Sequence, residues 1–532
     1  MEGHFALMLH AHLPFVRHPE HEKFLEENWL FEAITETYVP LLQIIEGWRR
    51  EGMRARLTIS ISPPLCAMLL DPLLRERYVR HLDGLVELAE KETYRTHWEP
   101  GYRELAEMYQ RRFAAIRETY IGYGGDLVGA FGRLEEAGLL EIATSSATHA
   151  LLPLLAEHRP SLRAQIFVAR DYHRECFGRE PQGIWLPECG FVEGIETVLQ
   201  EANLRWFVTE THGLLHARPR PRDGVFAPVF TPAGVAAFGR DFETAKQVWS
   251  KEEGYPGDVR YRDFYRDIGF DLDFDYVKPY FPSPEARGFT GIKYHRITGR
   301  KEKKIYDPVA ASRVADEQAG DFLRARVEQM GKLTAVMERP PIVLSPYDAE
   351  LFGHWWYEGP AFLDFFMRKA YYDQKVFTLI TPGEYLRRYP TQQVAMPAAS
   401  SWGEEGYWRV WLNEKNEWIY PHLRVAQGRM TELAERFAGA TGLAERAVKQ
   451  AGRELLLAQA SDWPFILRTG TSPDYAARRV KDHLLRFLTL YEQAMAQQID
   501  EHRLSQVEQM DNLFPRIDFR HWREGGAGER LM

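Results

Sequence analysis

Two carboxylate side chains follow apolar runs that are typical of buried strands. Glu188 comes after the run 184–186, and Pro187 ends that run because proline has no N–H to add to a sheet. Asp348 is the first carboxylate after the run 341–344. Two carboxylates at strand ends, among aromatic side chains, are what the cleavage of a glycosidic bond requires. One would act as nucleophile or base and the other would protonate the leaving oxygen, and the residues alone leave open which does which.

Other polar side chains also fall at the ends of predicted strands. His10 and His12 alternate onto one side of the strand that opens the chain, His149 follows a strand near residue 144, and Arg240 follows one near residue 238. Short apolar runs that alternate with helical patterns predict an α/β protein with parallel strands. Functional side chains at successive strand ends are typical of the rim of a (β/α) barrel, so we expect these residues to share one rim.

The remaining pattern predicts the domain organisation. The stretch 65–137 is helical and too long for a single crossover helix, so we expect a helical insertion in a catalytic domain that covers 1–398. The stretch 250–300 is rich in Tyr and Phe but has no helical period, which leaves two readings open: a cover over the cleft or a packed structural excursion. Helical patterns then predict a C-terminal domain over 399–532.

Composition excludes several classes of protein. The net charge of -9 argues against a nucleic-acid partner. No apolar run approaches the roughly 18 residues that a membrane span needs, and the N-terminus lacks the pattern of a signal peptide. The only cysteines are Cys66, Cys176 and Cys189, without metal-type spacing. We therefore expect a cytoplasmic protein without a membrane or nucleic-acid partner; the sequence does not predict its oligomeric state.

Five ordered motifs resemble glycoside hydrolase family 57, and within it the glucan branching enzymes. They are H-A-H-L-P (10–14), A-T-S-S-A-T-H (143–149), W-L-P-E-C-G (185–190), S-P-Y-D-A-E-L-F-G-H-W-W-Y-E-G (345–359) and S-W-G-E-E-G-Y-W-R-V-W-L-N (401–413). The resemblance implies an incomplete (β/α)7 barrel with a helical insertion and a helical C-terminal domain. It also implies that Glu188 is the nucleophile and Asp348 the general acid/base of a retaining double displacement. The donor and the acceptor would be α-1,4-glucans such as amylose or glycogen, and the product an α-1,6 branch.

The resemblance further implies a set of substrate contacts. Tyr255 matches a mobile-loop tyrosine that could shield the intermediate, Trp402 and Trp411 could hold the acceptor, and Trp29 could extend the donor cleft. The other expected sugar contacts are His10, His12, His149, Arg240, His354 and Trp355. No phosphate loop or cofactor motif is present in the sequence, and we expect neither a cofactor nor a metal.

Three alternatives remain at this point. A family 57 amylase or 4-α-glucanotransferase would use the same carboxylates, because loop contacts set the ratio of transfer to hydrolysis. A metal-dependent hydrolase or deacetylase could use His10, His12, Asp348 and His354 as ligands, although Glu188 would then have no role. The third is a glucan-binding protein without catalytic activity.

Overall fold

The computed structural model describes residues 3–250, 254–282, 286–299 and 302–525. The strands are β1 (Gly3–Ala11), β2 (Leu57–Ile61), β3 (Leu140–Ala143), β4 (Gly183–Ile184), β5 (Trp206–Thr209), β6 (Val229–Phe230), β7 (Ala236–Gly239), β8 (Ile342–Asp348), β9 (Phe377–Leu379) and β10 (Gln393–Val394). The first ten helices are α1 (Asn28–Ala33), α2 (Val39–Arg50), α3 (Pro63–Leu70), α4 (Pro72–Arg95), α5 (Pro100–Gly122), α6 (Leu127–Glu136), α7 (Arg159–Phe177), α8 (Ile195–Glu201), α9 (Thr211–Leu215) and α10 (Phe242–Trp249). The others are α11 (Ile268–Asp271), α12 (Phe274–Val277), α13 (Pro308–Val336), α14 (Gly359–Tyr372), α15 (Pro382–Arg388), α16 (Ile419–Arg436), α17 (Gly442–Ala458), α18 (Asp462–Thr469), α19 (Pro473–Ala496) and α20 (Glu501–Met510).

The predicted incomplete (β/α)7 barrel is confirmed. Seven parallel strands follow one another in the order β8-β1-β2-β3 and then β4-β5-β7, β9 pairs parallel with the start of β1, and β6 lies antiparallel to β7. Between β3 and β4 the contact is an isolated bridge, in which the Trp185 N–H donates to the Thr144 carbonyl over 2.8 Å. Between β7 and β8 the Asp241 N–H donates to the Leu344 carbonyl over 2.9 Å. Isolated bonds at two seams leave the barrel less continuous than a fully laddered one.

The central strand explains why the barrel forms here. All nine residues of β1 are buried, as expected for a parallel strand that is covered on both faces. β8 pairs with β1 along its whole length, from His4 beside Ile342 to His10 beside Asp348. The strand therefore reaches four residues beyond the apolar run that predicted it, and Asp348 is its last residue rather than the first residue beyond it.

The predicted insertion at 65–137 contains α3 to α6, and the aromatic segment at 250–300 contains α11 and α12, of four residues each. Residues 251–253, 283–285 and 300 of that segment lie outside the described residues. Tyr261 and Phe281 from the segment are buried in the core, so part of the segment packs as structure. Whether the segment covers the cleft stays a prediction.

The helices after the barrel pack against the rim that carries the predicted site. α17 packs on α19, around the buried Trp463 and Trp522. Ala460, just before α18, forms an antiparallel bridge with Ala150, and the Arg479 guanidinium of α19 donates to the Phe15 carbonyl over 3.3 Å. The domain boundary at residue 398 stays a prediction, but the helical segment clearly touches the loops after β1 and β3. Among the described helices, none combines the length and the apolar character that a membrane crossing needs.

Candidate active site

Glu188 lies in a strained turn immediately after the Ile184–Leu186 stretch. Glu188 and Cys189 have φ angles of 62° and 51°, in the left-handed region that costs a non-glycine residue roughly 1–2 kcal/mol. The turn is held from outside, because the Trp402 N–H donates to the Glu188 carbonyl over 2.9 Å. Strain that is held in place by the surrounding structure is common at functional sites, and here the turn brings the Glu188 side chain to Trp402, Ser461 and His149.

Three groups surround the Glu188 carboxyl group. The Trp402 indole Nε1–H donates to Oε2 over 2.6 Å, and the Ser461 hydroxyl lies 3.3 Å from Oε1. The His149 Nδ1 atom is 3.9 Å from Oε1. The side chain is 15% exposed, and no Lys or Arg forms an ion pair with it within the described part of the chain.

Asp348 lies at the end of β8, and its charge acts on Glu188. Burial raises the pKa of Asp348 to about 6, against the opposing charges of His12 and Arg240. Burial, with the charges of Asp348 and Asp462, raises the pKa of Glu188 to about 8, although the Trp402 and Ser461 hydrogen bonds oppose the shift. The two carboxyl groups are therefore electrostatically coupled, and near neutral pH they carry one proton between them.

Three histidines line the rim beside these carboxyl groups, at the ends of β1 and β3, where the sequence predicts them. The His10 Nε2 and His149 Nε2 atoms are 2.9 Å apart, and the rings of His12 and His149 stack at a centroid distance of 3.7 Å. Burial lowers the pKa of His10 and of His149 well below the usual value, so both are neutral. His149 has a φ of 56°, which makes it a third strained residue at this site, after Glu188 and Cys189.

The helical segment contributes two residues that the sequence reasoning did not assign to the site. Asp462 accepts a hydrogen bond from His12 Nε2 over 3.0 Å, and Ser461 contacts both His149 and Glu188. Their stretch, A-S-D-W-P-F at 460–465, resembles the same family, but that resemblance carried no role for individual residues. Reasoning from strand ends could not predict Ser461 and Asp462, because both belong to the helical segment and follow no barrel strand.

Arg240 is on the rim but is already paired. Its Nη1 atom lies 3.0 Å from Glu210 Oε2, and its guanidinium is 5.6 Å from the centre of the Trp402 ring. Glu210, at the end of β5, is thus a further rim residue that has no place among the predicted contacts. The ion pair holds Arg240 against the indole that contacts Glu188.

Trp411 is in a different environment from Trp402. It is only 2% exposed, and a Cβ atom at Gly403 would lie 2.4 Å from its ring. Trp411 therefore supports the loop that carries Trp402, and its buried ring offers no free face to a sugar in this conformation. Its role as an acceptor contact stays a prediction that would require the loop to open.

The other predicted contacts lie apart from the two carboxyl groups. His354 Nδ1 bonds to Glu36 Oε2 over 2.6 Å, and the half-exposed ring of Trp355 stacks on Phe264 at 4.7 Å. In the described residues, no hydrogen bond or ring contact joins His354 or Trp355 to Glu188 or Asp348.

Two further predicted contacts are also placed away from the pair. Trp29 meets Tyr475 of α19 edge-on at 6.2 Å, so it lies where the barrel touches the helical segment. The Tyr255 hydroxyl donates to Asp321 Oδ2 over 2.8 Å, and its ring packs on Phe362 at 5.6 Å. For Tyr255 to shield an intermediate, it would have to leave these contacts.

A metal site fits poorly at this rim. One atom each of His12, His149 and Asp462 lie within 4.8 Å of one another, which is close enough to hold an ion. Both ring nitrogens of His149 are already bonded, to His10 and to Ser461, so a metal would have to displace one of them. His354, a ligand in the metal-hydrolase alternative, bonds to Glu36 instead.

Comparison with known proteins identifies relatives of this arrangement. Residues 6–398 match the model of glycosyl hydrolase family 57, and residues 422–522 match the C-terminal domain of 1,4-alpha-glucan branching enzymes. A 1,4-alpha-glucan branching enzyme of Thermococcus kodakarensis is 31% identical, over 97% of this chain and 78% of its own length.

Two solved structures are similar over nearly the whole chain. The alpha-amylase AmyC of Thermotoga maritima has a TM-score of 0.92 and 43% identity, covering 98% of this chain and 99% of its own. A GH57-type branching enzyme of Pyrococcus horikoshii has a TM-score of 0.89 and 30% identity, covering 99% and 97%.

Proposed function

The chain belongs to glycosyl hydrolase family 57, and on that premise we propose that it is a 1,4-α-glucan branching enzyme. The observation that supports the proposal most directly is the coupled pair of Glu188 and Asp348 at the barrel rim, with the Trp402 indole bonded to Glu188. The curated branching-enzyme relative and the match of residues 422–522 to a branching-enzyme domain add to it.

The reaction we propose is a retaining double displacement. Glu188 attacks the anomeric carbon of an α-1,4 bond while Asp348 protonates the leaving glucan oxygen. Asp348 then takes the proton of a glucan 6-hydroxyl, whose oxygen displaces Glu188 and forms the α-1,6 branch. We propose that the neutral His10 and His149 and the cationic Arg240 bind sugar hydroxyls beside the reacting carbon.

The proposed mechanism requires a particular protonation state of Glu188 and Asp348. Attack needs an ionised Glu188 and a protonated Asp348, but burial raises the pKa of Glu188 to about 8 and that of Asp348 to about 6. The Trp402 N–H favours the Glu188 anion, and the positive charge that develops on the sugar favours it further. The shared proton must therefore leave Glu188 when the substrate is bound.

Transfer to a sugar rather than to water requires the acceptor to exclude water from the intermediate. Trp402 at Glu188 and the half-exposed Trp355 are the aromatic surfaces that we propose for glucan binding. Amylose and glycogen are the proposed donors and acceptors, and glycogen synthesis is the proposed pathway. Three cysteines without a disulfide bond support the proposed cytoplasmic location, and the domain division at residue 398 is proposed on the change in pattern.

A hydrolase is the second candidate. The 43% identity with the Thermotoga maritima alpha-amylase favours it, and that enzyme matches this chain along nearly its full length. Both activities would use Glu188 and Asp348, so they differ only in whether water or a sugar reaches the covalent intermediate.

Proton NMR of amylose after incubation with the enzyme tests the proposal. New α-1,6 anomeric signals with few new reducing ends are expected from the wild type and should disappear with Glu188→Gln. Glu193→Gln is the matched control, because Glu193 is an exposed carboxylate five residues further along the chain. Abundant reducing ends without α-1,6 signals would establish the hydrolase instead, and unchanged activity of Glu188→Gln would refute the assignment of Glu188 as the nucleophile.

A further inference from the structure

A rim carboxylate that the proposed displacement does not use, Glu210, is linked to Glu188 by a series of side-chain contacts. Glu210 Oε2 lies 3.0 Å from Arg240 Nη1. The Arg240 guanidinium lies over the Trp402 ring, 5.6 Å from its centre, and the Trp402 Nε1–H donates to Glu188 Oε2 over 2.6 Å. These contacts indicate a role for Glu210 that acts through Arg240 and Trp402.

Neighbouring strands bring Glu210 and Arg240 together. Each residue directly follows a strand, β5 or β7, and these strands run parallel with Thr209 beside Gly239. The Arg240 N–H donates to the Thr209 carbonyl over 3.0 Å, and the Thr211 hydroxyl donates to the Arg240 carbonyl over 2.8 Å. The two main-chain segments that carry the ion pair are therefore fixed relative to each other.

The two carboxyl oxygens of Glu210 have separate partners. Oε1 accepts from the Thr211 N–H over 3.0 Å at the start of α9, which leaves Oε2 for Arg240. The side chains of Arg240 and Glu210 are only 15% and 13% exposed. Within the part of the chain that the structure describes, Glu210 is the one carboxylate in an ion pair with Arg240. A buried guanidinium without a counter-charge is costly, so we expect Glu210 to keep Arg240 in this position.

The orientation of the Trp402 ring depends on side-chain contacts. The Trp402 backbone N–H donates to the Glu188 carbonyl over 2.9 Å, which fixes the main chain but not the rotamer of the ring. The buried Trp185 meets the ring edge-on at a centroid distance of 5.0 Å, and Arg240 lies over the ring. The guanidinium charge also draws electron density from the indole, so the indole N–H becomes a stronger donor to Glu188.

We propose that Glu210 is a positioning residue for the nucleophile. It holds Arg240 against the Trp402 indole and thereby keeps the indole N–H directed at Glu188. That N–H stabilises the Glu188 carboxylate before attack and again when the glycosyl group leaves. Glu210 itself exchanges no proton and forms no covalent bond. The proposal rests on the proposed function, which makes Glu188 the nucleophile.

An indirect contact leaves Glu188 able to change its protonation. A guanidinium in direct contact with the Glu188 carboxyl group would lower its pKa strongly and make it a fixed charge. The hydrogen bond from Trp402 also lowers this pKa, but burial outweighs it, and the pKa stays raised to about 8. Arg240 therefore supports the carboxylate through the ring without pairing with it.

A double-mutant cycle on kcat tests whether Glu210 acts through Trp402. Glu210→Gln should lower kcat about fivefold, because a neutral amide no longer holds Arg240, and Trp402→Phe should lower it about tenfold, because a phenyl ring donates no hydrogen bond. The double variant should lose no more than Trp402→Phe alone, since ring orientation no longer affects Glu188 once the N–H is gone. Turnover of amylose at saturating concentration measures kcat. Glu243→Gln, which changes an exposed carboxylate three residues beyond Arg240, is the control and should keep the wild-type kcat.

Two kinetic results would overturn the proposal. One is a kcat of Glu210→Gln within twofold of the wild type. The other is a double variant whose losses multiply to about fiftyfold, because Glu210 would then act independently of the indole N–H. The cycle uses kcat because a change in how the Trp402 ring stacks on a sugar would appear in KM instead.

Fluorine NMR of the protein labelled with 5-fluorotryptophan follows the indole without any assay of activity. The Trp402 resonance is the one that disappears in Trp402→Phe. It should shift in Glu210→Gln and stay in place in Glu243→Gln, and the resonances of the other tryptophans show that each variant is folded. An unmoved Trp402 resonance in Glu210→Gln would refute the positioning role.

Failure of this proposal is distinguishable from failure of the proposed function. Unchanged activity of Glu188→Gln would refute Glu188 as the nucleophile, and the positioning role of Glu210 with it. Loss of activity in Glu188→Gln, together with multiplying losses in the cycle, would refute the role of Glu210 alone.

Discussion

Two glutamates of this protein are buried to a similar extent but hold their protons very differently. The side chain of Glu36 is 10% exposed and that of Glu188 is 15% exposed. Burial alone would raise the pKa of Glu36, but the hydrogen bond from His354 and the charges of His354, Arg262 and Lys293 outweigh it and lower that pKa to about 2. Burial raises the pKa of Glu188 to about 8.

The difference lies in the neighbours. Glu36 has His354 Nδ1 at 2.6 Å and Arg262 Nη2 at 3.4 Å, whereas Glu188 has only neutral donors and His149 at 3.9 Å. A buried carboxylate with cations beside it is a fixed charge, and one without them can gain or lose a proton at working pH. One fold thus holds both structural and reactive carboxylates.

The largest expected effect is on catalysis and comes from a substitution at Glu188, the glutamate without a cation beside it. Glu188→Gln removes the nucleophile, so kcat should fall on the order of 10⁴-fold while the protein stays folded. Branching assays on amylose would measure the loss, with Glu193→Gln as the control. Activity within tenfold of wild type would show that another residue is the nucleophile and that Glu188 is not the reactive carboxylate.

The next effect is on stability at the paired glutamate. Glu36→Gln removes the carboxylate that pairs with the buried Arg262, so the free energy of unfolding should fall by about 3–5 kcal/mol at pH 7. Denaturant titration measures this change. Glu76→Gln is the control, because its pair with Arg80 is exposed and should contribute less than about 1 kcal/mol. Equal losses in the two variants would show that Glu36 is not a fixed charge.

The two glutamates should also change stability with pH in opposite directions. The folded pKa of Glu188 is raised, so its contribution to the stability of the wild type is present below the unfolded pKa and is lost as the pH rises toward 8. Relative to the wild type, Glu188→Gln should therefore gain a few kcal/mol of stability over that range, about 1.4 kcal/mol per pKa unit. The folded pKa of Glu36 is lowered, so its contribution is present above the unfolded pKa and is lost as pH falls toward 2.

The cost of Glu36→Gln should accordingly shrink by about 3 kcal/mol between pH 5 and pH 2. Denaturant titrations of wild type and both variants across pH 2–9 measure the two trends. Parallel trends would contradict the electrostatic difference between the two sites.

The smallest expected effect tests the hydrogen bond to Glu188. Trp402→Phe keeps an aromatic ring but removes the Nε1–H donor to Oε2, so kcat/KM should fall about tenfold, as for one hydrogen bond to a charged group. Trp411→Phe is a matched control, since the Trp411 Nε1 atom has no hydrogen-bond partner among the described residues. A similar loss in both variants would show that the effect comes from loop packing.

Much of the barrel and its carboxylates could be predicted from the sequence. The two key positions follow apolar runs, and strand ends in a parallel barrel share one edge, so Glu188, Asp348 and His10 were predicted to come together. The register confirms that His10 lies beside Asp348. These predictions depend on local pattern and on a general rule of topology, which is why they needed no coordinates.

Other parts of the site could not be predicted in this way. Trp402 was expected to hold a sugar, yet its indole bonds to Glu188, and Trp411 in the same motif is buried. Motif letters do not distinguish a ring that faces the cleft from one that packs beneath the loop. His354 stays a predicted substrate contact, although its Nδ1 atom bonds to Glu36.

The sequence by itself determined which residues can do chemistry and which barrel presents them, because strand patterns and strand ends are local features of the chain. Only the tertiary structure decided what surrounds them: Ser461 reaches Glu188 across 273 residues, and Arg262 reaches Glu36 across 226. The neighbours, and with them the protonation of each buried carboxylate, depend on how distant segments pack. Electrostatic interactions at a few ångströms follow that packing, and no local pattern encodes it.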